Sequence, residues 1–183
     1  ERIIFPQARS ESMGMEDLRM VKFIDNGSTN YLGTYTAYDG KTILTKMLET
    51  TDFKHFKIRN LKGRQVDNKG KAYFPRKING KYVILSRQGG ESLGIMESDD
   101  YMTWNEKKPL QVPTRSFELV QIGNCGSPIE TPEGWLMITH HVGPVRRYSL
   151  GVTLLDPENP SKVISMLKEP LMEPLESERE GYV

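Results

Sequence analysis

The sequence predicts an all-β protein built from repeated small sheets. Three observations carry this prediction: hairpin signals recur, glycine and proline punctuate the chain, and no long stretch has clean helical periodicity. Of the 183 residues, 16 are Gly and 11 are Pro. This length is sufficient for one domain with a substantial core.

The clearest hairpin signal lies in the second half of the chain. A turn at Ser127-Pro128 leads into a short strand, a Pro-Glu-Gly turn ends at Gly134, and a second strand runs into His140 and His141. A glycine-containing pair between two apolar runs is among the stronger short-range hairpin signals. The unit therefore predicts two imidazoles at the end of a strand, where a scaffold usually holds its functional groups.

The same unit recurs earlier in the chain. Residues 74–87 contain a short strand, an Asn-Gly turn and an apolar strand, and a fainter copy begins at Asp17. Each copy is accompanied by a Leu-Gly pair: Leu32-Gly33, Leu93-Gly94 and Leu150-Gly151. A repeat of roughly 40–60 residues with about four short strands is typical of a β-propeller blade. We therefore predict that residues 1–183 form one partial propeller domain, with repeat units at about 17–60, 72–108 and 117–166.

The segments between and beside these units are predicted in order. Residues 1–16 predict one strand and a polar linker, and residues 60–71 predict a polar loop. Residues 108–113 predict an extended connector, because a residue before proline avoids the helical region. Residues 163–166 predict a strand, and the tail from Glu173 is acidic. The chain resembles a piece cut at both ends, since closed propellers use about four or more blades.

Composition limits the classes of partner and cofactor that the sequence predicts. The net charge of +1 gives no reason to expect nucleic acid or an anionic membrane, and no apolar run approaches a membrane span. The single Cys125 cannot form an internal disulfide, which favours a cytoplasmic location and leaves the periplasm open. Two adjacent histidines do not form a metal site without further ligands, so neither a metal nor a cofactor is expected. Unpaired sheet edges can associate with another chain, so the sequence leaves a homo-oligomer as an alternative.

Four motifs resemble glycoside hydrolase family 130, the mannoside phosphorylases and related mannosidases. They are Glu16-Asp17-Leu18-Arg19, Phe74-Pro75 with the following Ile-Asn-Gly-Lys-Tyr, Gly134 to Ile138 with His141, and Tyr148 with Gly151. The resemblance extends over nearly the whole chain. It implies a five-bladed β-propeller, of which this chain covers roughly three blades. It also implies an enzyme that cleaves β-mannosidic bonds in a mannose-containing oligosaccharide with inversion.

The resemblance further implies which residues act. Asp17 would be the proton donor, although Leu18 stands where the family has proline. Arg19, Arg87, Asn124, His141 and Tyr148 would bind substrate or phosphate. A second catalytic carboxylate is sought among Glu118, Glu130 and Glu180, with Glu118 and Glu180 the catalytic candidates. Because adjacent strand residues face opposite sides, only one of His140 and His141 is expected to be functional, and His141 is the prediction.

Hydrolysis and phosphorolysis both remain open. A family Arg-Asn pair is aligned here with Asp67-Asn68, and an aspartate at that place would repel phosphate. The sequence therefore predicts a weaker dependence on inorganic phosphate than in the family's phosphorylases, while leaving phosphate open as a co-substrate. The alternative function is a non-catalytic propeller that serves as a sugar-binding or protein-interaction platform, because fold alone does not decide function.

Overall fold

The computed structural model describes residues 3–87 and 89–179. Within these ranges, three antiparallel sheets of mostly short strands follow one another along the chain. The first sheet contains β1 (Gly14–Asp25), β2 (Ser28–Tyr38), β3 (Ile43–Thr50) and β4 (Lys57–Asn60). The second contains β5 (Lys69–Tyr73), β6 (Tyr82–Arg87), β7 (Leu93–Ser98) and β8 (Lys108–Gln111). The third contains β9 (Gln121–Asn124), β10 (Ile129–Thr131), β11 (Gly134–Val142), β12 (Tyr148–Leu155) and β13 (Val163–Met166).

Each sheet is one blade, which confirms the all-β prediction, and in the first two blades the strands lie in sequential order. Helical structure in the described ranges is confined to 3₁₀ turns at Arg9–Glu11, Ser116–Glu118, Pro144–Arg146 and Glu176–Glu178. None of the helices in these ranges is long and apolar enough to cross a bilayer.

The first strand of the third blade is interrupted. Strand β9 pairs with the carboxyl-terminal half of β11 and β10 pairs with its amino-terminal half, so both lie along the same partner. At the interruption the Cys125 amide still donates to the Ile138 carbonyl at 2.9 Å. The Cys125 residue itself is exposed.

The Asn79-Gly80 turn was correctly predicted, whereas the strand that precedes it was not. Both turn residues have positive φ (50° and 77°), and Ile78 and Lys81 exchange two backbone hydrogen bonds across them, as in a type I′ turn. Strand β5, however, begins at Lys69, inside the segment predicted to be a loop. Its Lys-Gly-Lys start lacks the apolar alternation by which a strand is recognised.

The Leu-Gly pairs do not occupy equivalent strands in all three blades. Gly94 and Gly151 lie in third strands, whereas Gly33 lies in the second strand of its blade. The glycines are required by packing. A Cβ on Gly94 would lie 2.6 Å from the Lys107 side chain, and one on Gly151 would lie 2.4 Å from His141 Cε1.

Aromatic pairs fill the two blade interfaces. Tyr73 packs edge-on against Trp104 between the first and second blades, and Phe74 packs edge-on against Trp135 between the second and third. All four side chains are fully buried, and each large apolar side chain buried in this way contributes about 1.5–3 kcal/mol. The blades therefore hold a fixed arrangement, which in turn fixes the residues where they meet.

Two aspartates, Asp52 and Asp100, hold turns. The Asp52 carboxylate accepts hydrogen bonds from the backbone amides of Lys54 and His55, both at 2.8 Å. The Asp100 carboxylate accepts from the Met102 amide at 3.1 Å and from the Thr103 hydroxyl at 2.7 Å.

Candidate active site

Arg19 joins the three blades at one point. It lies on β1, and its Nη1 donates to the Gly70 carbonyl of the second blade at 3.3 Å and to the Asn124 carbonyl of the third at 2.6 Å. A cavity of about 550 Å³ opens beside this junction. Nine described residues line it: Asp17, Arg19, Lys69, Arg87, Gln121, Cys125, His140, Arg146 and Tyr148.

Asp17 enters the cavity from a β-bulge. The pairing of β1 with β2 changes register between Glu16 and Arg19, and Asp17 has φ 58°. Bulges commonly re-aim a side chain beside an active site, and aspartate tolerates the left-handed region better than most residues. The side chain keeps 45% of its exposure, and its Oδ2 lies 3.8 Å from Lys69 Nζ. The carboxylate is therefore both accessible and close to a cation.

Positive charge dominates the lining. Arg19, Lys69, Arg87 and Arg146 contribute four cationic side chains, whereas Asp17 is the sole carboxylate among the described lining residues. Arg87 is 8% exposed. Its guanidinium faces no carboxylate within salt-bridge distance among the described residues. Guanidinium groups at such a site suit an oxyanion, which they bind through charge-assisted and bidentate hydrogen bonds.

His140 faces this basic surface. Arg87 Nη1 donates to His140 Nε2 at 3.1 Å, so Nε2 is the unprotonated nitrogen and the ring proton lies on Nδ1. Burial, followed by the charges of Arg87 and Arg19, lowers the pKa of His140 to about 4. The imidazole is therefore neutral at physiological pH.

His141 points to the opposite face of the sheet, so the structure does not place the predicted histidine in the cavity. It is 3% exposed, contacts the Thr139 hydroxyl at 2.9 Å and packs against the Phe117 ring at a centroid distance of 5.2 Å. The parity of β11 is set by its pairing with β12 and β9, which turns His140 toward the cavity.

Glu118 is a buried structural carboxylate that does not line the cavity. It is 1% exposed and accepts hydrogen bonds from the Thr114 amide at 2.9 Å and from Arg115 Nη2 at 2.6 Å. Although burial opposes the shift, the hydrogen bonds from Arg115 and Thr114 hold the pKa of Glu118 below its ordinary value. Its role is to secure the 3₁₀ turn that precedes β9.

Of the remaining predicted site residues, some line the cavity and others lie outside it. Arg87 and Tyr148 line the cavity as expected. Asn124 is fully buried, and its side-chain amide donates to the Gly126 carbonyl at 3.1 Å, away from the cavity lining. Glu130 forms a salt bridge with Arg76 across the second and third blades. Glu180 lies outside the described residues.

Lys69, rather than Asp67, reaches the cavity. Asp67 is exposed and does not belong to the lining, whereas Lys69 Nζ lies 3.4 Å from Glu16 Oε1 and close to Asp17. The Asp67 carboxylate is therefore not placed to repel a phosphate bound in the cavity. A bulge between Lys69 and Ala72 shifts the start of β5, and this irregularity cannot be recognised in the sequence.

Four further lining residues were not selected from the sequence as site residues: Lys69, Gln121, His140 and Arg146. Arg146 lies between β11 and β12, where Val145 and Arg146 have positive φ (55° and 54°), and its side chain lines the cavity. The adjacent histidines and the position of Cys125 beside them were the available signals. No group of three His, Cys, Asp or Glu residues in the described ranges could hold a metal ion.

Comparison with known proteins agrees with the fold and shows the family. The family model described as β-1,4-mannooligosaccharide phosphorylase, in glycoside hydrolase family 130, matches residues 1–182. Two proteins of Thermoanaerobacter sp., named 1,2-β-oligomannan phosphorylase and β-1,2-mannobiose phosphorylase, are 38% and 37% identical over 97% and 99% of the chain. The chain spans 60% of the length of each of these relatives.

Solved structures give the same result. The β-1,2-mannobiose phosphorylase of Listeria innocua, in complex with β-1,2-mannobiose, superimposes with a TM-score of 0.81 at 27% identity. That match covers 93% of this chain and 48% of the other. A protein of Parabacteroides distasonis, named a putative glycoside hydrolase, matches with a TM-score of 0.79 at 21% identity, over 93% and 58% of the two chains. The second likeness concerns the fold alone.

Proposed function

Because the chain belongs to glycoside hydrolase family 130, we propose that it carries the active site of an inverting β-mannoside phosphorylase. In this reaction a phosphate oxygen attacks the anomeric carbon while the glycosidic bond breaks on the opposite face of the sugar. Asp17 supplies the proton that the leaving oxygen takes up, directly or through a sugar hydroxyl. The products are mannose 1-phosphate with inverted configuration and an oligosaccharide shortened by one residue.

One observation supports the choice of phosphate over water: among the described lining residues, four cationic side chains accompany a single carboxylate. An inverting hydrolase needs a second carboxylate at about 6.5–9.5 Å to activate water. Neither Glu118 nor Glu130 lines the cavity. Phosphate, in contrast, needs fixed cations and hydrogen-bond donors, which Arg87, Arg146 and Lys69 supply.

The preferred substrate in this proposal is a β-1,2-linked mannooligosaccharide. The two relatives that match nearly the whole chain carry β-1,2 linkages in their names, whereas the family model carries β-1,4 in its description. The test incubates the intact protein with β-1,2- and β-1,4-mannooligosaccharides, each with phosphate, with sulfate and with neither. Mannose 1-phosphate formed with phosphate alone is the expected product. Equal release of free mannose without phosphate would refute phosphorolysis, and no cleavage at all would favour a binding platform.

Two adjacent arginines offer a matched pair of variants. Arg146 lines the cavity, whereas Arg147 lies within 3.5 Å of Glu173 and outside the lining. Loss of one charge-assisted hydrogen bond costs about 1.5–3 kcal/mol, so Arg146→Met should raise the KM for phosphate by about 10-fold or more. Arg147→Met should leave it unchanged. Equal effects of the two substitutions would remove Arg146 from the phosphate site.

A further inference from the structure

The segment 66–70 contributes Lys69 to the cavity lining from an irregular stretch of backbone. Asn68 has φ 66° and Gly70 has φ 83°, so two of its five residues lie in the left-handed region. Between them, Lys69 enters the cavity and comes within 3.8 Å of Asp17 Oδ2. The Gly70 carbonyl accepts the hydrogen bond from Arg19. A small shift of this segment would therefore move both a cation and the partner of a second one.

Three consecutive carbonyls of this segment accept hydrogen bonds from Thr45 and Lys71. The Val66 carbonyl accepts from the Thr45 amide at 3.2 Å, and the Asn68 carbonyl accepts from the Thr45 hydroxyl at 2.5 Å. The Asp67 carbonyl accepts from Lys71 Nζ at 2.7 Å. Lys71 Nζ also donates to the Thr45 hydroxyl at 3.1 Å, which joins the two residues into one unit.

Burial of the Lys71 ammonium group carries a large desolvation cost. Its side chain is 1% exposed, and Nζ donates to two neutral oxygens. Burying an ammonium group costs several kcal/mol before its hydrogen bonds compensate. Burial lowers its pKa to about 8, against the charge of Asp67, which raises it. An apolar side chain would fill the same volume without this desolvation cost. The contribution particular to Lys71 is therefore its hydrogen bonding to the segment.

We infer that Lys71 and Thr45 are positioning residues for the phosphate side of the cavity, acting by fixing the backbone of residues 66–70. This inference rests on the proposed function. It assigns no contact with substrate to either residue, since neither lines the cavity. Their effect passes through Lys69 and through the Gly70 carbonyl that orients Arg19.

The test uses three substitutions in the intact protein. Thr45→Val keeps the β-branched shape and removes the hydroxyl, and Lys71→Met keeps an unbranched side chain and removes the ammonium. Thr34→Val is the matched control, because the Thr34 hydroxyl is also buried and donates to the Lys71 carbonyl, outside the segment. Thr45→Ser, which restores the hydroxyl, is the rescue variant. Each protein is titrated with inorganic phosphate by calorimetry, and kcat and KM for phosphate are measured separately.

Displacing a binding group by about 1 Å can cost up to about 100-fold, so a rise of about 10-fold in phosphate Kd and KM is expected for Thr45→Val and Lys71→Met. Thr34→Val should change neither constant, whatever it does to thermal stability, and Thr45→Ser should bind phosphate nearly as the wild type does. If Lys71→Met does not fold, Thr45→Val decides.

The two proposals fail in different ways. Wild-type protein that binds no phosphate would overturn the proposed function and this inference with it. Wild-type protein that binds phosphate while Thr45→Val binds it equally well would overturn the positioning role alone. A loss of affinity in Thr34→Val equal to that in Thr45→Val would also overturn it, because the effect would then belong to general loosening of the blade interface.

Discussion

At the scale of single residues, the orientation of Asp17 is set by its backbone. The left-handed conformation in the bulge places the carboxylate toward the cavity, whereas Glu16, its neighbour, does not line it. Residues in sparsely populated backbone regions cluster at functional sites, where surrounding structure compensates their cost. The pairing of β1 with β2 on both sides of the bulge provides that compensation.

Asp17→Asn should therefore abolish most of the activity without unfolding the protein. A general acid typically contributes about 10²–10⁴-fold to the rate, and turnover should fall by that order. Initial rates of mannose 1-phosphate release measure the effect, and circular dichroism monitors the fold. Glu16→Gln is the control, since Glu16 also lies near Lys69 but outside the cavity lining. Near-normal turnover of Asp17→Asn would exclude Asp17 as the acid.

His140 makes a second prediction, about acid stability. Its folded pKa is about 4, below the ordinary value of 6.5, so the unfolded chain binds more protons between these values. The stability that neutral His140 contributes is present above pH 6.5 and is lost as the pH falls toward 4. Because the ring is partly exposed, we discount the full shift to a loss on the order of 2 kcal/mol.

Urea unfolding of the wild type and of His140→Gln at several pH values from 4 to 7 measures this loss. The free energy of unfolding of the wild type should fall relative to that of His140→Gln as the pH falls, because glutamine does not titrate. A difference independent of pH would show that the imidazole is not held neutral. His55, whose side chain is 90% exposed, provides the control substitution His55→Gln.

The residue scale also shows what the sequence could reveal. Asp17 and Arg19 of the Glu-Asp-Leu-Arg motif, together with Arg87, line one cavity, and their roles there stay predictions. The functional role of His141 stays a prediction; it is His140 that faces the cavity, because the parity of β11 depends on which residues of β12 and β9 it faces. Bulges at Glu16/Arg19 in β1 and at Lys69/Ala72 in β5 change the parity of those two strands, and they arise from pairing rather than from composition.

At the scale of elements, the segment before β1 is fastened to the first blade by a buried carboxylate. Glu11 Oε1 accepts from Tyr35 Oη and from Lys46 Nζ, both at 2.6 Å, and Oε2 accepts from the amides of Gln7 and Ala8 at 2.8 and 3.0 Å. Burial alone would raise the pKa of Glu11, but these hydrogen bonds lower it to about 2. The sequence predicted a strand and a linker here and gave no indication of this contact.

Glu11→Ala should reduce the free energy of unfolding by about 3–5 kcal/mol, because it leaves the Lys46 ammonium buried without its partner. Chemical denaturation measures the change. Asp99→Ala provides the comparison. It removes an ion pair with Lys81 in which the Asp99 side chain is 84% exposed, and such pairs contribute about 1 kcal/mol or less. Similar losses in the two variants would mean that the Glu11 contact is not a buried anchor.

Elements were easier to predict than their edges. The Asn79-Gly80 turn and the strand at Val163–Met166 follow from local signals that tertiary structure did not override. The start of β5 and the split between β9 and β10 depend on which neighbouring strand supplies hydrogen bonds. The identity of that neighbouring strand cannot be inferred from the local sequence.

At the scale of the whole molecule, Arg19 connects the integrity of the blades with the site. Its Nη1 uses both hydrogens on backbone carbonyls of two other blades while its side chain lines the cavity. Burial lowers its pKa, but a guanidinium stays charged at any physiological pH. One side chain therefore holds the second and third blades against the first and contributes positive charge to the cavity.

Arg19→Met should lower both stability and phosphate affinity. It leaves the Gly70 and Asn124 carbonyls without their donor, and each unsatisfied buried acceptor costs about 1–3 kcal/mol, so a loss of about 2–5 kcal/mol is expected. The two tryptophans report it, because Trp104 lies at one blade interface and Trp135 at the other. Their fluorescence in urea should show an earlier transition, whereas Arg147→Met should unfold as the wild type does. A midpoint unchanged in Arg19→Met, with phosphate affinity reduced, would show that Arg19 binds the anion without holding the blades together.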